Sequence, residues 1–294
     1  MISIEQALPK TRSQRYELLG RLGRGGMAEV HRAYDTWLDR IVAFKQVREP
    51  NESQNAAMVR ESHALAWLRH PNIVSMLDVT FENGVPCLVL EYVPGLDIGQ
   101  VVRRKMFDVA DFEKVALQIL SALATVHAAG WVHGDVKPGN IMLECAQQPE
   151  WTAKLLDFGL SGAPGDAGVG SSGPSRDDHG SIYFLAPERF DGQVASMASD
   201  IYALGAVFYY LLSGQCPVSG ANDIEVMAGH ILGRITPLRE AAQVPAFVSD
   251  LVMAMLNTDP MARPTAAEAW HAIDDRRLAA ASSPEIARSL GVSM

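Results

Sequence analysis

The chain has 294 residues, of which 48% are hydrophobic and 20% are charged, and its formal net charge at pH 7 is −9. That balance suffices for a buried core in one large domain or in two lobes that share a cleft. An acidic chain has no electrostatic reason to bind nucleic acid or anionic lipid, so we exclude nucleic acid as a partner. Three widely spaced cysteines and an N-terminus without an apolar signal-peptide core predict a cytoplasmic chain that does not insert into a membrane.

The first third of the sequence has the pattern of a sheet with one helix. Short segments rich in β-branched and aromatic residues predict strands at 16–23, 29–34, 40–47, 73–79 and 86–92. Asn83-Gly84 predicts a tight turn between the last two strands. The segment from Ser53 to His70 has helical character and is followed by Pro71.

After Val93-Pro94-Gly95 the pattern becomes mainly helical. A long amphipathic helix is predicted from Asp111 to about His127, and helices dominate from Ala195 onward. Short strands near 141–143 and 154–156 and a Gly/Ser/Asp-rich loop at 162–180 lie between these helices. A strand-rich unit joined by a short linker to a helical unit predicts an α+β fold with a ligand between the two.

Two segments of the strand-rich part suit the binding of phosphate. The turn from Leu22 to Val30 is rich in glycines, whose N–H groups can approach phosphate oxygens, although a glycine pair in a hairpin is more often only a turn. Lys45 lies in an apolar strand, where it either extends its amine to solvent or meets an anionic partner. Glu61 on the following helix is the candidate partner.

The segments 133–140 (HGDVKPGN) and 156–159 (LDFG) carry the strongest chemical signal. Asp135, Lys137 and Asn140 fall within six residues, and a further aspartate follows between apolar residues. Phosphoryl transfer needs this set, because a carboxylate orients the attacking hydroxyl, oxygen ligands hold magnesium, and a cation offsets the charge of the transferred group.

With these motifs in this order, the chain resembles the eukaryotic-type Ser/Thr protein kinase family over about residues 16–271, and its Gly-Gly-Met-Ala-Glu-Val loop is similar to that of bacterial members. The resemblance implies a two-lobed α+β fold. The N-lobe, 14–93, would hold a small antiparallel sheet and one helix, and the C-lobe, 94–277, would be mainly helical. Residues 1–13 and 278–294 would be flanks.

The resemblance also implies the catalytic roles. Asp135 would be the catalytic base, and Lys137 would steady the γ-phosphate. Lys45 would contact the α- and β-phosphates and pair with Glu61. The reaction would use ATP and Mg²⁺ to modify serine or threonine hydroxyls of protein substrates, and it allows self-association for autophosphorylation.

The binding residues follow in the same way. Asn140 and Asp157 would ligate Mg²⁺, and backbone groups of 91–93 would hydrogen-bond adenine. The remaining contacts to ATP would come from residues that line the cleft between the lobes: Leu22, Gly23, Gly25, Gly26, Val30, Ala43, Lys45, Leu90, Glu91, Val93 and Met142.

Two motifs downstream resemble structural parts of the same family. Glu188 of Ala186-Pro187-Glu188 would pair with Arg263, far along the chain. Asp200 would buttress the catalytic loop from the central helix of the C-lobe. Small-molecule kinases usually lack this segment, so these residues favour a protein kinase.

Gly134 is the main departure from the family pattern. Most members have an arginine there, which commonly binds a phosphate on the activation loop. We therefore expect activity that does not depend on activation-loop phosphorylation. Ser181 also replaces the usual threonine but keeps a hydroxyl for Asp135 and Lys137.

Two alternatives remain open. Aminoglycoside and choline kinases also use His-Gly-Asp, so a small-molecule phosphotransferase is one, although Lys137 argues against it. A pseudokinase that binds ATP without catalysis is the other, because the presence of motifs does not establish productive geometry.

Overall fold

The computed structural model describes residues 15–25, 28–104, 107, 109–145, 151–158 and 181–281. The strands in chain order are β1 (Tyr16–Arg24), β2 (Ala28–Asp35), β3 (Arg40–Val47), β4 (Met76–Glu82), β5 (Val85–Glu91), β6 (Leu96–Asp97), β7 (Ile141–Cys145) and β8 (Trp151–Leu155). The helices are α1 (Glu52–Trp67), α2 (Ile98–Arg104), α3 (Val109–Ala128), α4 (Pro187–Phe190), α5 (Met197–Ser213), α6 (Asp223–Ile231), α7 (Leu238–Ala241), α8 (Ala246–Met255) and α9 (Ala266–Ala281). Short 3-10 turns lie at Pro138–Asn140, Ser181–Phe184 and Pro260–Ala262.

The N-terminal sheet has five antiparallel strands in the order β1-β2-β3-β5-β4. Side chains alternate along β3, as they must in a strand. Val42 and Phe44 pack in a small core on one face, whereas Ala43 and Val47 join the main core on the other. This alternation places Lys45 on the same face as Ala43, towards α1 and the C-terminal lobe.

Several predicted boundaries differ from the structure by one to three residues, and two of these differences bear on the contact between the lobes. Helix α1 ends at Trp67 instead of His70, because Leu68 is already extended at φ −85° and ψ 110°. Strand β4 begins at Met76 instead of Ile73, which makes an isolated bridge to Leu155. The chain thus contacts the C-terminal lobe before it re-enters the sheet.

Helix α5 forms the centre of the C-terminal lobe. A Ser196 capping box starts the helix, and Gly214, at φ 73°, ends it. Its apolar run is buried, and Phe208 meets Phe112 of α3 edge-on with ring centroids 5.2 Å apart. In the parts of the chain that the structure describes, no helix combines the length and apolarity needed to cross a bilayer.

The predicted α+β architecture is therefore confirmed, with an antiparallel sheet and one long helix preceding a mainly helical unit. The boundaries of the lobes at 14–93 and 94–277 stay predictions. The flank 1–13, the loop 162–180 and residues 282–294 lie outside the described residues.

The linker between the two units depends on a glycine. A Cβ built on Gly95 would lie 2.4 Å from the carbonyl oxygen of Leu143 in β7. Gly95→Ala should therefore move the linker away from β7 and lower the free energy of unfolding by about 1–3 kcal/mol. Urea denaturation would measure this loss, with Gly20→Ala as the control because a Cβ there meets nothing within 4 Å. A loss at Gly95 no larger than at Gly20 would contradict the prediction.

Candidate active site

Lys45 lies at the centre of a buried ionic cluster. Its Nζ is 2.7 Å from both carboxylate oxygens of Glu61 on α1 and 2.7 Å from Oδ1 of Asp157. The side chain of Lys45 is 6% exposed and that of Glu61 is 2% exposed, whereas that of Asp157 is 42% exposed. The cluster thus joins β3, α1 and the segment after β8, with its open side at Asp157.

The charge of Lys45 is fixed by its neighbours. Burial alone would lower the pKa of the ammonium, but the carboxylates of Asp157 and Glu61 outweigh burial and raise it. A lysine held charged and out of bulk water is suited to bind an anion that enters from the exposed side.

A second polar cluster lies on the loop before β7. Oδ2 of Asp135 is 2.9 Å from Nζ of Lys137 and accepts a 2.9 Å hydrogen bond from Nδ2 of Asn140. Nζ of Lys137 also lies 3.4 Å from the hydroxyl of Ser181. Burial raises the pKa of Asp135, and the cation of Lys137 opposes the rise. A carboxylate with a raised pKa accepts a proton more readily than one in water.

Asp200 on α5 holds this loop in place from below. Its two carboxylate oxygens accept hydrogen bonds of 2.8 Å from the backbone N–H groups of His133 and Gly134. His127 of α3 contacts Oδ2 of the same carboxylate at 3.0 Å. Gly134 has φ +80°, a conformation that glycine adopts without the strain a side chain would cause. The sequence predicted this buttress; the structure adds His127.

The segment after β8 is fixed by a ring contact. Phe158 is fully buried and packs on His133 at 4.7 Å between centroids. Nε2 of His133 donates to the carbonyl oxygen of Leu156 at 2.9 Å. Asp157 has φ +59°, which is uncommon for a residue with a side chain and typical of functional positions.

Of the apolar residues predicted to contact adenine, Ala43 and Leu90 lie in the main core, and Val30 packs against it. Ala43 and Leu90 are paired across β3 and β5 and are nearly buried, at 8% and 7% exposure, and Val30 pairs with Lys45. Met142 of β7 is paired with Asp97 of β6, on the C-terminal side. Apolar side chains of this kind are typical of the lining of a nucleotide-base pocket, so their use for adenine stays a prediction.

At the linker and the glycine turn, two backbone N–H groups are already hydrogen-bonded within the chain. The N–H of Glu91 donates to the carbonyl oxygen of Ser75 at 2.9 Å, so that N–H is not available to adenine. The N–H of Gly25 donates to Ala28 at 2.9 Å and closes the turn. Gly26 and Gly159, which the sequence singled out, lie outside the described residues.

The oxygen donors present fit a magnesium ion that is bound mainly by phosphates. Asn140 and Asp157 offer amide and carboxylate oxygens, and the N–H of Leu156 donates to the Asn140 carbonyl oxygen at 2.8 Å, which ties the two segments together. Among the described residues, no group of three or more His, Cys, Asp or Glu is arranged to hold a metal ion. Mg²⁺ commonly takes only one or two protein ligands beside phosphate and water.

Two contacts near the site were missed by the sequence. Oε1 of Glu91 accepts hydrogen bonds of 2.7 Å from Nζ of Lys154 and 2.9 Å from the N–H of Ser75. Nη1 of Arg48 donates to the carbonyl oxygen of Gly25 at 3.2 Å. Neither has a local signal, because the first pair is separated by 63 residues and the second by 23.

Glu188 and Arg263 form the long-range pair that the sequence predicted. Both distances of the two-fold contact are 2.7 Å, and the Arg263 side chain is 0% exposed. Residues 16–272 match the sequence model of the family described as "Protein kinase domain". The chain belongs to the protein kinase family. In this kinase domain the two clusters are close enough for the carboxylates of Asp157 and Asp135 to interact electrostatically.

Three proteins similar to this kinase domain come from bacteria. A protein named "Probable serine/threonine-protein kinase PknB" from Bifidobacterium longum is 36% identical over 79% of this chain and 34% of its own length. "Serine/threonine-protein kinase pkn3" of Myxococcus xanthus is 30% identical over 95% of this chain and 54% of its own length. "Serine/threonine-protein kinase PrkC" of Bacillus subtilis is 33% identical over 87% of this chain and 39% of its own length. The chain thus spans a third to about half of the length of these relatives.

Proposed function

We propose that this chain transfers the γ-phosphate of ATP to serine or threonine hydroxyls of proteins. The observation that carries the proposal is the joint arrangement of the Lys45–Glu61–Asp157 cluster and the Asp135–Lys137–Asn140 cluster on connected segments of one cleft. The first supplies a buried cation for the phosphates, and the second supplies a carboxylate for the hydroxyl.

Each residue then has a role that its surroundings support. Asp135 orients the acceptor hydroxyl and takes its proton, and Lys137, 2.9 Å away, offsets the negative charge on the transferred group. Lys45, held by Glu61, grips the α- and β-phosphates. Magnesium, when bound at Asn140 and Asp157 together with the phosphates, neutralises charge on the leaving group. The cleft residues from Leu22 to Met142 named above hold the nucleotide.

The choice of a protein acceptor rests on the segment after residue 180. The buried Glu188–Arg263 pair anchors this segment, and its Ser181 hydroxyl lies 3.4 Å from Nζ of Lys137, next to Asp135. Small-molecule phosphotransferases usually lack this segment. Lys137, two residues after Asp135, is the pattern of Ser/Thr protein kinases, and the relatives carry that name. Tyrosine specificity is disfavoured for the same reason.

Phosphate transfer from γ-labelled ATP tests the proposal. We expect magnesium-dependent incorporation into the chain itself or into a generic basic protein, with phosphoserine or phosphothreonine after hydrolysis. ATP binding without any incorporation would instead indicate a pseudokinase, and labelling of choline or an aminoglycoside alone would indicate a small-molecule phosphotransferase.

We further propose that activity does not require phosphorylation of the activation loop. Gly134 presents no side chain where most members of the family have an arginine, so the catalytic loop lacks that cation for a loop phosphate. The loop itself, with Ser161 and residues 171–175, lies outside the described residues.

Replacing Ser161, Ser171, Ser172 and Ser175 together by alanine should leave the rate of phosphate transfer within about twofold of the unsubstituted chain. The initial rate on a protein substrate would be measured, with thermal unfolding as the control for folding. A collapse of activity in a folded variant would contradict the proposal.

The cellular compartment and the self-association of the chain are also proposals. We propose a cytoplasmic catalytic domain, since the chain has only three widely spaced cysteines and both of those in the described residues, Cys87 and Cys216, are free thiols. Self-association for autophosphorylation is tested by the order of the reaction, because labelling between molecules rises with the square of the chain concentration.

A further inference from the structure

A fully buried polar pair joins α6 to α5. The hydroxyl of Tyr202 lies 2.7 Å from Nδ1 of His230, and both side chains are 0% exposed. The two rings meet edge-on at 5.7 Å between centroids. The guanidinium of Arg263, already paired with Glu188, lies 4.9 Å from the centroid of the Tyr202 ring. Tyr202 therefore lies between α6 and the Glu188–Arg263 pair, which anchors the segment 181–190.

The pair is costly to bury, so its presence calls for an explanation. Among the described residues, Nε2 of His230 has no hydrogen-bond partner, although it is buried. Burial lowers the pKa of His230 to about 4, so the ring is neutral at physiological pH and Nδ1 can accept. Burial also raises the pKa of Tyr202, so its hydroxyl stays protonated and donates. A leucine at either position would avoid these costs but could not fix the register of the two helices.

Helix α6 supports the activation segment from one side. Val226 of α6 packs with Ile182 and Val218 in a separate apolar cluster, and the ring of His230 lies 5.9 Å from that of Phe190 at the end of α4. Ile182 directly follows Ser181, whose hydroxyl lies 3.4 Å from Nζ of Lys137. A shift of α6 would therefore move the segment 181–190. Through the contact between Ser181 and Lys137 it would also affect the catalytic loop.

Helix α5 supports the catalytic loop itself. Tyr202 follows Asp200 by two residues, and Asp200 binds the N–H groups of His133 and Gly134 at 2.8 Å. The Tyr202–His230 hydrogen bond therefore connects α6, which packs against the segment 181–190, to α5, which holds the catalytic loop.

From this arrangement we propose that His230 is a positioning residue for the protein acceptor. Its hydrogen bond to Tyr202 fixes α6 against α5 and thereby sets the segment 181–190 at the distance from Asp135 that a protein hydroxyl requires. The nucleotide side of the cleft is held by contacts among Lys45, Glu61 and Asp157, whereas the hydrogen bond of this pair joins α5 to α6. The proposal rests on the kinase activity proposed above.

Two matched substitutions separate the hydrogen bond from the packing. His230→Leu keeps most of the volume and removes the acceptor, whereas His230→Asn keeps an oxygen close to the place of Nδ1. We expect His230→Leu to lower kcat/KM for a protein substrate about tenfold, the equivalent of one buried hydrogen bond, with the KM for ATP unchanged within about twofold. His230→Asn should recover kcat/KM to within about threefold of the original.

Amide hydrogen exchange gives a second measurement that does not depend on activity. The amides of 181–190 should exchange faster in His230→Leu and in Tyr202→Phe, but not in His230→Asn, while those of β3 and β5 stay unchanged. If the unsubstituted chain transferred no phosphate, the proposed function would fail, and this exchange pattern would still decide the structural role.

The proposal is overturned if the leucine and asparagine variants behave alike, or if the KM for ATP rises in parallel with that for the protein. It is equally overturned if 181–190 exchanges at the same rate in all variants. Should His230→Leu not fold, Tyr202→Phe provides the comparison, because it removes the same hydrogen bond by the loss of one oxygen.

Discussion

Asp135→Asn should lower the rate of phosphate transfer by about 10²- to 10⁴-fold, the usual contribution of a positioned base. The amide cannot take the proton of the acceptor hydroxyl. It would also place a donor or a weaker acceptor against Lys137 and Asn140, both of which approach Oδ2 of the carboxylate at 2.9 Å. The initial rate of incorporation from labelled ATP measures the loss, and nucleotide titration should give an affinity within about threefold of the original.

A second carboxylate provides the control for this substitution. Asp191 is exposed just beyond α4, and Asp191→Asn should change the rate by no more than about twofold. If Asp135→Asn keeps a third or more of the activity while folded, the base is another group and the proposed mechanism is wrong.

The sequence predicts those parts of the site whose signals are local. Lys45 faces the cleft because the alternation of β3 places it on the face of Ala43, and that alternation is legible in the sequence. The loop from His133 to Asn140 carries three polar side chains at short spacing, and Asp135 lies 2.9 Å from both Lys137 and Asn140. Helices were predicted from Ala195 onward, and α5 begins at Met197.

The sequence does not predict contacts that form only when distant segments pack together. The Lys154–Glu91 and His230–Tyr202 pairs join residues 63 and 28 positions apart, and nothing near either residue marks its partner. The start of β4 was misplaced for a related reason, since Ile73 has the side chain of a strand residue but its backbone pairs with Leu155 of the other lobe. Tertiary contact, not propensity, decided these positions.

Arg263→Met should lower the free energy of unfolding by about 3–5 kcal/mol, the usual result of removing one partner from a buried ion pair. The Glu188 side chain is 8% exposed, so its carboxylate would remain buried without a cation. Arg263 also donates to the carbonyl oxygens of Asn257, Thr258 and Ala198, at 2.7, 3.3 and 2.9 Å. Urea denaturation followed by circular dichroism measures the loss, with the exposed Arg234→Met as a control that should change stability by less than about 0.5 kcal/mol.

The double variant Glu188→Gln/Arg263→Met separates the two causes. If the buried charge dominates, a neutral glutamine removes the penalty, and the double variant should be more stable than Arg263→Met alone by about 1–3 kcal/mol. If the lost donors to the three carbonyl groups dominate, the double variant will be no more stable than the single one. A double variant more stable than Arg263→Met would mean that the unpaired, buried carboxylate causes most of the loss. The pair would then serve mainly to position the segment 181–190. An ion pair of that kind anchors the end of the segment 181–190 while leaving the stability of the lobe to the apolar core around α5.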